Sequence, residues 1–277
     1  MRWKRLGLAT ALGLLFVAPA SAGAKTLIGS GSSVAQPYLQ ALFAGYHRVK
    51  PGISFLYTAD GGNAGVKDVQ AGRSQFAAQT RPPLPSDGGT TYVKLFLDGL
   101  CIYVNQQNHL ANMSLGELAD IFTGVRTSWT QVPSSALNTT IDAVGRDSTA
   151  GTFTFFTAAV LNGQTQGSNV NTLASDGLVA NAIRQDPNSI GYAGLARSKT
   201  PGIKRVSLGG VACAPQFIKS LKYPLSRFIW LVLPTASPDP DVQKFADWIR
   251  RSVPAGEIIT KGGAVPAFNK TRKHRKH

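Results

Sequence analysis

Ile141-Asp-Ala-Val144, Gly145-Arg146-Asp-Ser-Thr-Ala150-Gly151-Thr152 and Phe153-Thr-Phe155-Phe156 run on from one another through the middle of a 277-residue chain. The first piece has the β-branched and apolar pattern of a short strand, and the last opens an apolar segment that reaches Leu161. Between them a cation, Arg146, stands four residues before a helix start built from small residues. A helix N-terminus carries unsatisfied N–H groups and the positive end of the macrodipole. With a fixed arginine beside it, such a junction attracts a small oxyanion and needs neither metal nor nucleophile. Alone, the stretch reads equally well as an ordinary strand–turn–helix junction with a surface arginine, because a motif needs its context.

Two further junctions of the same kind supply that context. Thr26-Leu-Ile28 reads as a strand, Gly29-Ser-Gly-Ser-Ser33 as a tight turn, and Val34 onward as a helix with Val34, Tyr38, Leu42, Phe43 and Tyr46 on one face. Pro37 falls in its first turn, where proline is tolerated. Ile53-Ser-Phe-Leu-Tyr57 reads as a second strand, followed by Gly61-Gly-Asn-Ala-Gly65 and a short helix around Val66 and Val69. Three such junctions could bring their helix N-termini to one anion.

The first residues have the form of an export signal. Arg2, Lys4 and Arg5 precede an apolar run from Leu6 to Val17, and Ala20-Ser-Ala22 offers small residues at the expected cleavage point. The run is too short to span a bilayer comfortably, and there is no lipoprotein cysteine at that point. A periplasmic or secreted location is expected. Of the formal charge of +15, three cations lie in residues 1–22 and five (Lys270, Arg272, Lys273, Arg275, Lys276) in residues 270–277, which leaves a body of modest positive charge. That last segment reads as a disordered basic tail, suited to anionic envelope polymers. No aromatic–basic repeat points to nucleic acid. Cys101 and Cys213 permit one disulfide in an oxidising compartment, or two buried thiols.

Alternating strand and helix patterns argue for α/β layers with mainly parallel sheets. Tyr92–Leu97, a turn at Asp98-Gly99, and Leu100–Val104 form one long β signal; Phe228–Leu233 forms another. They bracket a middle segment, as in a two-lobed protein whose chain crosses over and returns. The expected division is residues 25–99 with 232–269 in one lobe and 100–231 in the other, with the ligand in the interlobe cleft. Within that frame Ser114-Leu-Gly-Glu117 is a capping box, 177–185 a helix, Ile190-Gly-Tyr192 and Ile203–Leu208 short strands, and a final helix starts at Asp241.

At this point the sequence resembles the exported phosphate-binding proteins of high-affinity phosphate ABC transporters, of the type II periplasmic-binding-protein class. The resemblance rests on Gly29–Ser33, on Tyr57–Lys67, and on Asn105 with Leu110, Ser114-Leu115, Leu118, Ile121–Gly124 and Trp129. Ile190–Tyr192, Tyr223-Pro-Leu-Ser-Arg227 and Gly262–Pro266 extend it. It implies capture of inorganic phosphate, delivery to an inner-membrane permease, a monomer, no cofactor, no metal and no catalysis. Ser33 and Val34 fall on the first-loop hydroxyl and N–H ligands. Arg146, Gly151 and Thr152 fall on the third-loop arginine, N–H and hydroxyl. Three positions depart: Gly62 and Ala150 each replace a serine ligand, and Thr80 stands where the family has an aspartate that demands a protonated anion. Arg81 either adds a second cation to the site or faces solvent ahead of Pro82-Pro83.

Other classes find less support. His47, His109, His274 and His277 are not placed to act as a base for Ser32 or Ser33, and neither a nucleophile elbow nor a P-loop lysine is present. His and Cys lack metal-ligand spacing. The alternatives to phosphate are another oxyanion such as sulfate or molybdate, or a polyanion-binding, adhesive envelope role driven by the tail.

Overall fold

Strand and helix alternate along the computed structural model as the sequence pattern requires; it describes residues 24–267. The expected export signal (1–22) and basic tail (270–277) lie outside the described residues. The first part runs β1 (Lys25–Gly31), α1 (Gln36–Val49), β2 (Ile53–Thr58), α2 (Gly62–Gln70), β3 (Phe76–Gln79) and β4 (Thr90–Asn105). The middle holds β5 (Asn112–Met113), α3 (Leu115–Thr123), β6 (Asp142–Arg146), α4 (Gly151–Ala159), β7 (Val170–Leu173) and α5 (Asp176–Gln185). It continues with β8 (Ser189–Gly194), β9 (Ile203–Leu208) and α6 (Pro215–Lys219). The chain returns through β10 (Ser226–Pro234), α7 (Pro240–Arg251), α8 (Val253–Gly262) and β11 (Val265–Pro266).

Local chemistry sets the boundaries. Ser114 and Glu117 form the capping box of α3, each accepting from the other's backbone N–H, and Gly124 ends the helix in the left-handed region. A cap of this kind contributes about 1 kcal/mol. α7 starts on Asp239, which accepts from the Asp241 N–H, with Pro240 in the first position.

Eight strands follow one path, β2-β1-β3-β10-β4-β8-β6-β7, while β11 and β9 pair with β4 off it and β5 pairs with β9. β1 lies parallel between β2 and β3, and β6 parallel between β7 and β8. The strands that cross between the two halves pair antiparallel: β10 with β3 and β4, and β4 with β8 and β9. The sheet is therefore mixed at its centre and parallel at its flanks.

β4 corrects one expectation. No turn interrupts it at Asp98-Gly99; a single 16-residue strand pairs with β10 through Gly99 and with β8 from Leu100. Asp98 is held in an ion pair instead of a turn, and Gly99 is needed for packing, since a Cβ there would stand 2.7 Å from the Cys213 sulfur. On the return, β10 pairs with β4 from Ser226 opposite Gly99 to Pro234 opposite Thr90.

The apolar side chains form two main clusters, one on each side of these crossings. One gathers Leu100–Leu225 with Leu97 and Val265, and includes Trp129, Phe122, Phe156 and Tyr192. The other joins Leu27–Phe96 to Ile229–Ala264. Within it α7 packs on α1, with Phe245 5.1 Å from Tyr46 and 5.5 Å from Phe43 between ring centroids. Of the two states open to the cysteines, the structure has the bridge, Cys101–Cys213, with Cα atoms 5.6 Å apart. It ties β4 to the segment before α6.

Candidate functional site

Where the halves meet, the turns after β1, β2, β3 and β6 come together, and all eight expected site residues (Ser33, Val34, Gly62, Thr80, Arg146, Ala150, Gly151, Thr152) are buried there. In the first turn the Ser32 hydroxyl accepts from the Val34 and Ala35 N–H groups at 3.2 and 3.3 Å, shaping the entry to α1. The Val34 N–H is thus engaged within its own turn. The Ser33 hydroxyl instead reaches across the cleft, where its oxygen accepts from Arg146 Nη1 at 3.2 Å and from the Asp176 N–H at 3.1 Å.

Arg146 ends β6 and is 1% exposed. Its Nε and Nη2 donate to the carbonyls of Leu173 and Ala174 at 3.0 and 2.9 Å, which fixes the guanidinium plane. Desolvation pushes its pKa down from the ordinary arginine value, opposed by the more distant Asp176 and Asp147. Four residues on, Ala150 caps α4 with extended backbone and no side-chain acceptor, and its N–H donates to the Asp147 carbonyl at 3.2 Å. Gly151 and Gly62 are the first residues of α4 and α2, whose opening N–H groups have no acceptor within their helices.

Thr80 and Thr152 meet directly, hydroxyl to hydroxyl, at 3.2 Å, one from each side of the cleft. Thr152 also accepts from Arg227 Nη1 at 3.1 Å. Arg227, at the start of β10, pairs with Asp98 at 3.2 Å, both side chains being almost fully buried. Burial pushes the Asp98 carboxyl up, against the pull of Arg227 and the Leu195 N–H.

Gln79 is a site residue that sequence reasoning missed. Its side chain is fully buried, with Oε1 accepting from the Thr80 N–H at 2.7 Å. The same oxygen sits against Gly62 and Gly151, where a Cβ on either glycine would collide with it. Gln79 Nε2 donates to Asn63 Oδ1 at 3.2 Å. Asn63, Arg227 and Asp98 were missed as well. Arg227 lay within Tyr223-Pro-Leu-Ser-Arg227 and Asn63 within the Gly61–Gly65 turn, but neither was singled out. Arg81 takes neither expected course: it is 4% exposed and forked onto Asp87 at 2.6 and 2.9 Å, so its charge is compensated inside its own lobe.

The charge accounting follows. Among the described residues three buried arginines line this region; Arg81 pairs with Asp87 and Arg227 with Asp98, whereas Arg146 has no carboxylate within ion-pair distance. A buried cation beside helix N-termini and hydroxyls is a seat for an anion. No group of three or more His, Cys, Asp or Glu among the described residues could hold a metal.

A two-lobed α/β fold with an anion seat between its lobes defines a class of solute-binding proteins. A family model described as a PBP superfamily domain matches residues 17–252, and the chain belongs to that superfamily. Among curated proteins it is 25% identical to Protein SphX of Synechococcus elongatus, over 93% of this chain and 82% of that one. It is 27% identical to the phosphate-binding protein PstS of Staphylococcus epidermidis, over 88% of this chain and 80% of that one. Among solved structures it matches a Clostridium perfringens substrate-binding protein with bound phosphate at TM-score 0.82 and 22% identity, covering 87% of this chain and 99% of the other. An ABC-type phosphate transport receptor from Vibrio cholerae matches at TM-score 0.71 and 20% identity, covering 86% and 99%.

Proposed function

We propose that this chain is an exported solute-binding protein that captures inorganic phosphate between its lobes and presents it to an ABC-transporter permease. The observation that carries this reading is Arg146, a buried guanidinium without a carboxylate partner among the described residues, set between Ser33 and the start of α4. The names of the relatives, phosphate-binding proteins and phosphate transport receptors, support phosphate as the anion. Ser33, Val34, Gly62, Thr80, Arg146, Ala150, Gly151 and Thr152 are the proposed ligands, and the protein works as a monomer by binding, without catalysis. The lobes divide near residues 99–100 and at the start of β10. A ligand that touches both sides stabilises the closed form by its differential affinity for it. The proposed location is periplasmic or secreted; among the described residues no helix is long and apolar enough to cross a membrane.

Thr80 favours a second reading, in which the site accepts sulfate or molybdate as well. A threonine hydroxyl both donates and accepts, so it does not demand a proton on the anion. Calorimetric titration of the mature protein with phosphate, sulfate and molybdate tests both readings. Heat with phosphate and compaction in solution scattering are expected; no heat with any of the three, and no compaction, overturns the proposal.

A further inference from the structure

Asn63, the second residue of α2, forms the densest set of contacts between the lobes, and its hydrogen-bonding capacity is fully used. Its Nδ2 donates to the Ser148 carbonyl at 3.0 Å and to the Thr154 hydroxyl at 2.8 Å, with the Ala150 carbonyl at 3.4 Å. Its backbone N–H donates to the Thr149 carbonyl at 2.9 Å. All four acceptors belong to the turn after β6 and to α4, in the opposite lobe. Its Oδ1 accepts from Arg81 Nε at 2.7 Å and from Gln79 Nε2 at 3.2 Å, on its own side. The orientation of the amide follows from its partners: guanidinium only donates, and carbonyls only accept.

The base of this arrangement is rigid. Arg81 is forked onto Asp87 and also touches Tyr92 at 3.2 Å. The approach itself needs bare backbone: Gly61 has φ 109°, and a Cβ there would stand 2.5 Å from the Thr149 carbonyl oxygen. The open N-terminus of α2 is therefore capped from the other lobe, and the start of α4 is held against it.

We propose that Asn63 is a positioning residue and closure latch: it holds the N-termini of α2 and α4 in register across the cleft, and it lets a fraction of the molecules close before any anion binds, the anion closing the rest. The anion then meets a largely assembled site, and its escape requires the latch to break. The inference deepens the anion-capture reading and rests on it only for the kinetic half of the test.

The test uses the full mature chain with its disulfide oxidised and nitroxide labels at K67C and T130C, exposed positions on opposite lobes. Without anion, the parent protein should show a closed-distance population that N63A and N63D lose. N63D keeps an acceptor for Arg81 but turns a carboxylate oxygen on the Ser148 and Ala150 carbonyls, so it breaks the latch while leaving the Arg81–Asp87 base in place. In stopped-flow with inorganic phosphate, N63A should release the anion at least about tenfold faster, as expected for the loss of several net hydrogen bonds, with association no slower than in the parent. A residue that only stabilised its own lobe would lower the unfolding midpoint and leave the closed fraction unchanged. Coincident anion-free distance distributions for parent and variants, or unchanged release, overturn the latch. If phosphate binds neither protein, the anion-capture reading fails, and the distances alone still decide for or against the latch.

Discussion

Replacing Arg146 with alanine should separate binding from folding in this protein. Of the five N–H groups of its guanidinium, three are spent on Leu173, Ala174 and Ser33. Two remain for a ligand. A hydrogen bond to a charged group contributes about 1.5–3 kcal/mol, so the pair should be worth about 3–6 kcal/mol, or about 10²–10⁴ in Kd. Without ligand the balance differs, because desolvation already opposes the buried charge. Removing the side chain relieves that penalty while stranding two carbonyls and a hydroxyl, so the unliganded variant should melt close to the parent. Titration calorimetry with phosphate, paired with thermal melts with and without phosphate, reads both effects. Arg146→Lys keeps the charge but not the fork and should fall between the two. Phosphate affinity of Arg146→Ala within threefold of the parent would refute the argument, because the anion would then be held by backbone and hydroxyl groups alone.

Three further outcomes are expected. The parent should discriminate poorly between phosphate and sulfate, and Thr80→Asp, which sets a carboxylate beside Thr152, should improve the ratio by at least about a hundredfold through like-charge repulsion of the unprotonated anion; competition binding at neutral pH checks this, and strong exclusion of sulfate by the parent contradicts it. The Cys101→Ser/Cys213→Ser double variant opens a bridge spanning 112 residues and should lose up to about 4–5 kcal/mol in urea unfolding, a loss reproduced by reducing the parent. Asp87 loses solvation, but hydrogen bonds from Arg81, the Leu84 N–H and Tyr92 outweigh that loss and hold its carboxyl below the ordinary 3.8. Its contribution is therefore complete above that value and lost as pH falls through the lower folded-state pKa. Asp87→Asn should cost about 3 kcal/mol at pH 7, and the gap to the parent should narrow in melts taken below pH 3.

Most of the architecture was legible because its determinants are local. Each expected junction joins a short β pattern to small turn residues and an apolar helical face, and β1–α1, β2–α2 and β6–α4 all appear where those patterns meet. α8 had no counterpart in the sequence reading; Ser252 caps it, and Pro254 falls in its first turn, where its missing N–H costs nothing. The continuity of β4 escaped for a related reason. Asp98-Gly99 has the composition of a turn, and only the partner that Asp98 finds in Arg227, 129 residues away, makes it strand. Gln79 and Asn63 could not be recognised from residue type, since a glutamine and an asparagine carry no pattern until the opposite lobe supplies glycines and carbonyls for them to meet.

The same contrast explains why Arg81 and Arg146 differ although both are buried arginines near the turns. Arg81 lies six residues from Asp87, so a carboxylate arrives by chain proximity and satisfies the charge within one lobe. Among the described residues Arg146 is offered only neutral partners: two carbonyls from the end of β7 and its turn, and a serine hydroxyl from the far side of the cleft. Carbonyl dipoles orient a guanidinium but do not cancel its charge, and a buried charge without a counter-ion costs stability. A fold selected for stability alone would place a carboxylate here, as it does at Asp87 and Asp98. On the proposed reading, leaving Arg146 without one transfers the counter-ion role to the captured anion, and part of the closed form's stability should be conditional on it. An added carboxylate should make that dependence visible. Ala150→Asp, at the N-cap of α4 where aspartate is a favoured residue, would supply an internal anion near Arg146. It should raise the melting temperature of the unliganded protein while abolishing the shift that phosphate produces. A variant that gains stability and still responds fully to phosphate would mean that the anion is seated elsewhere than at Arg146.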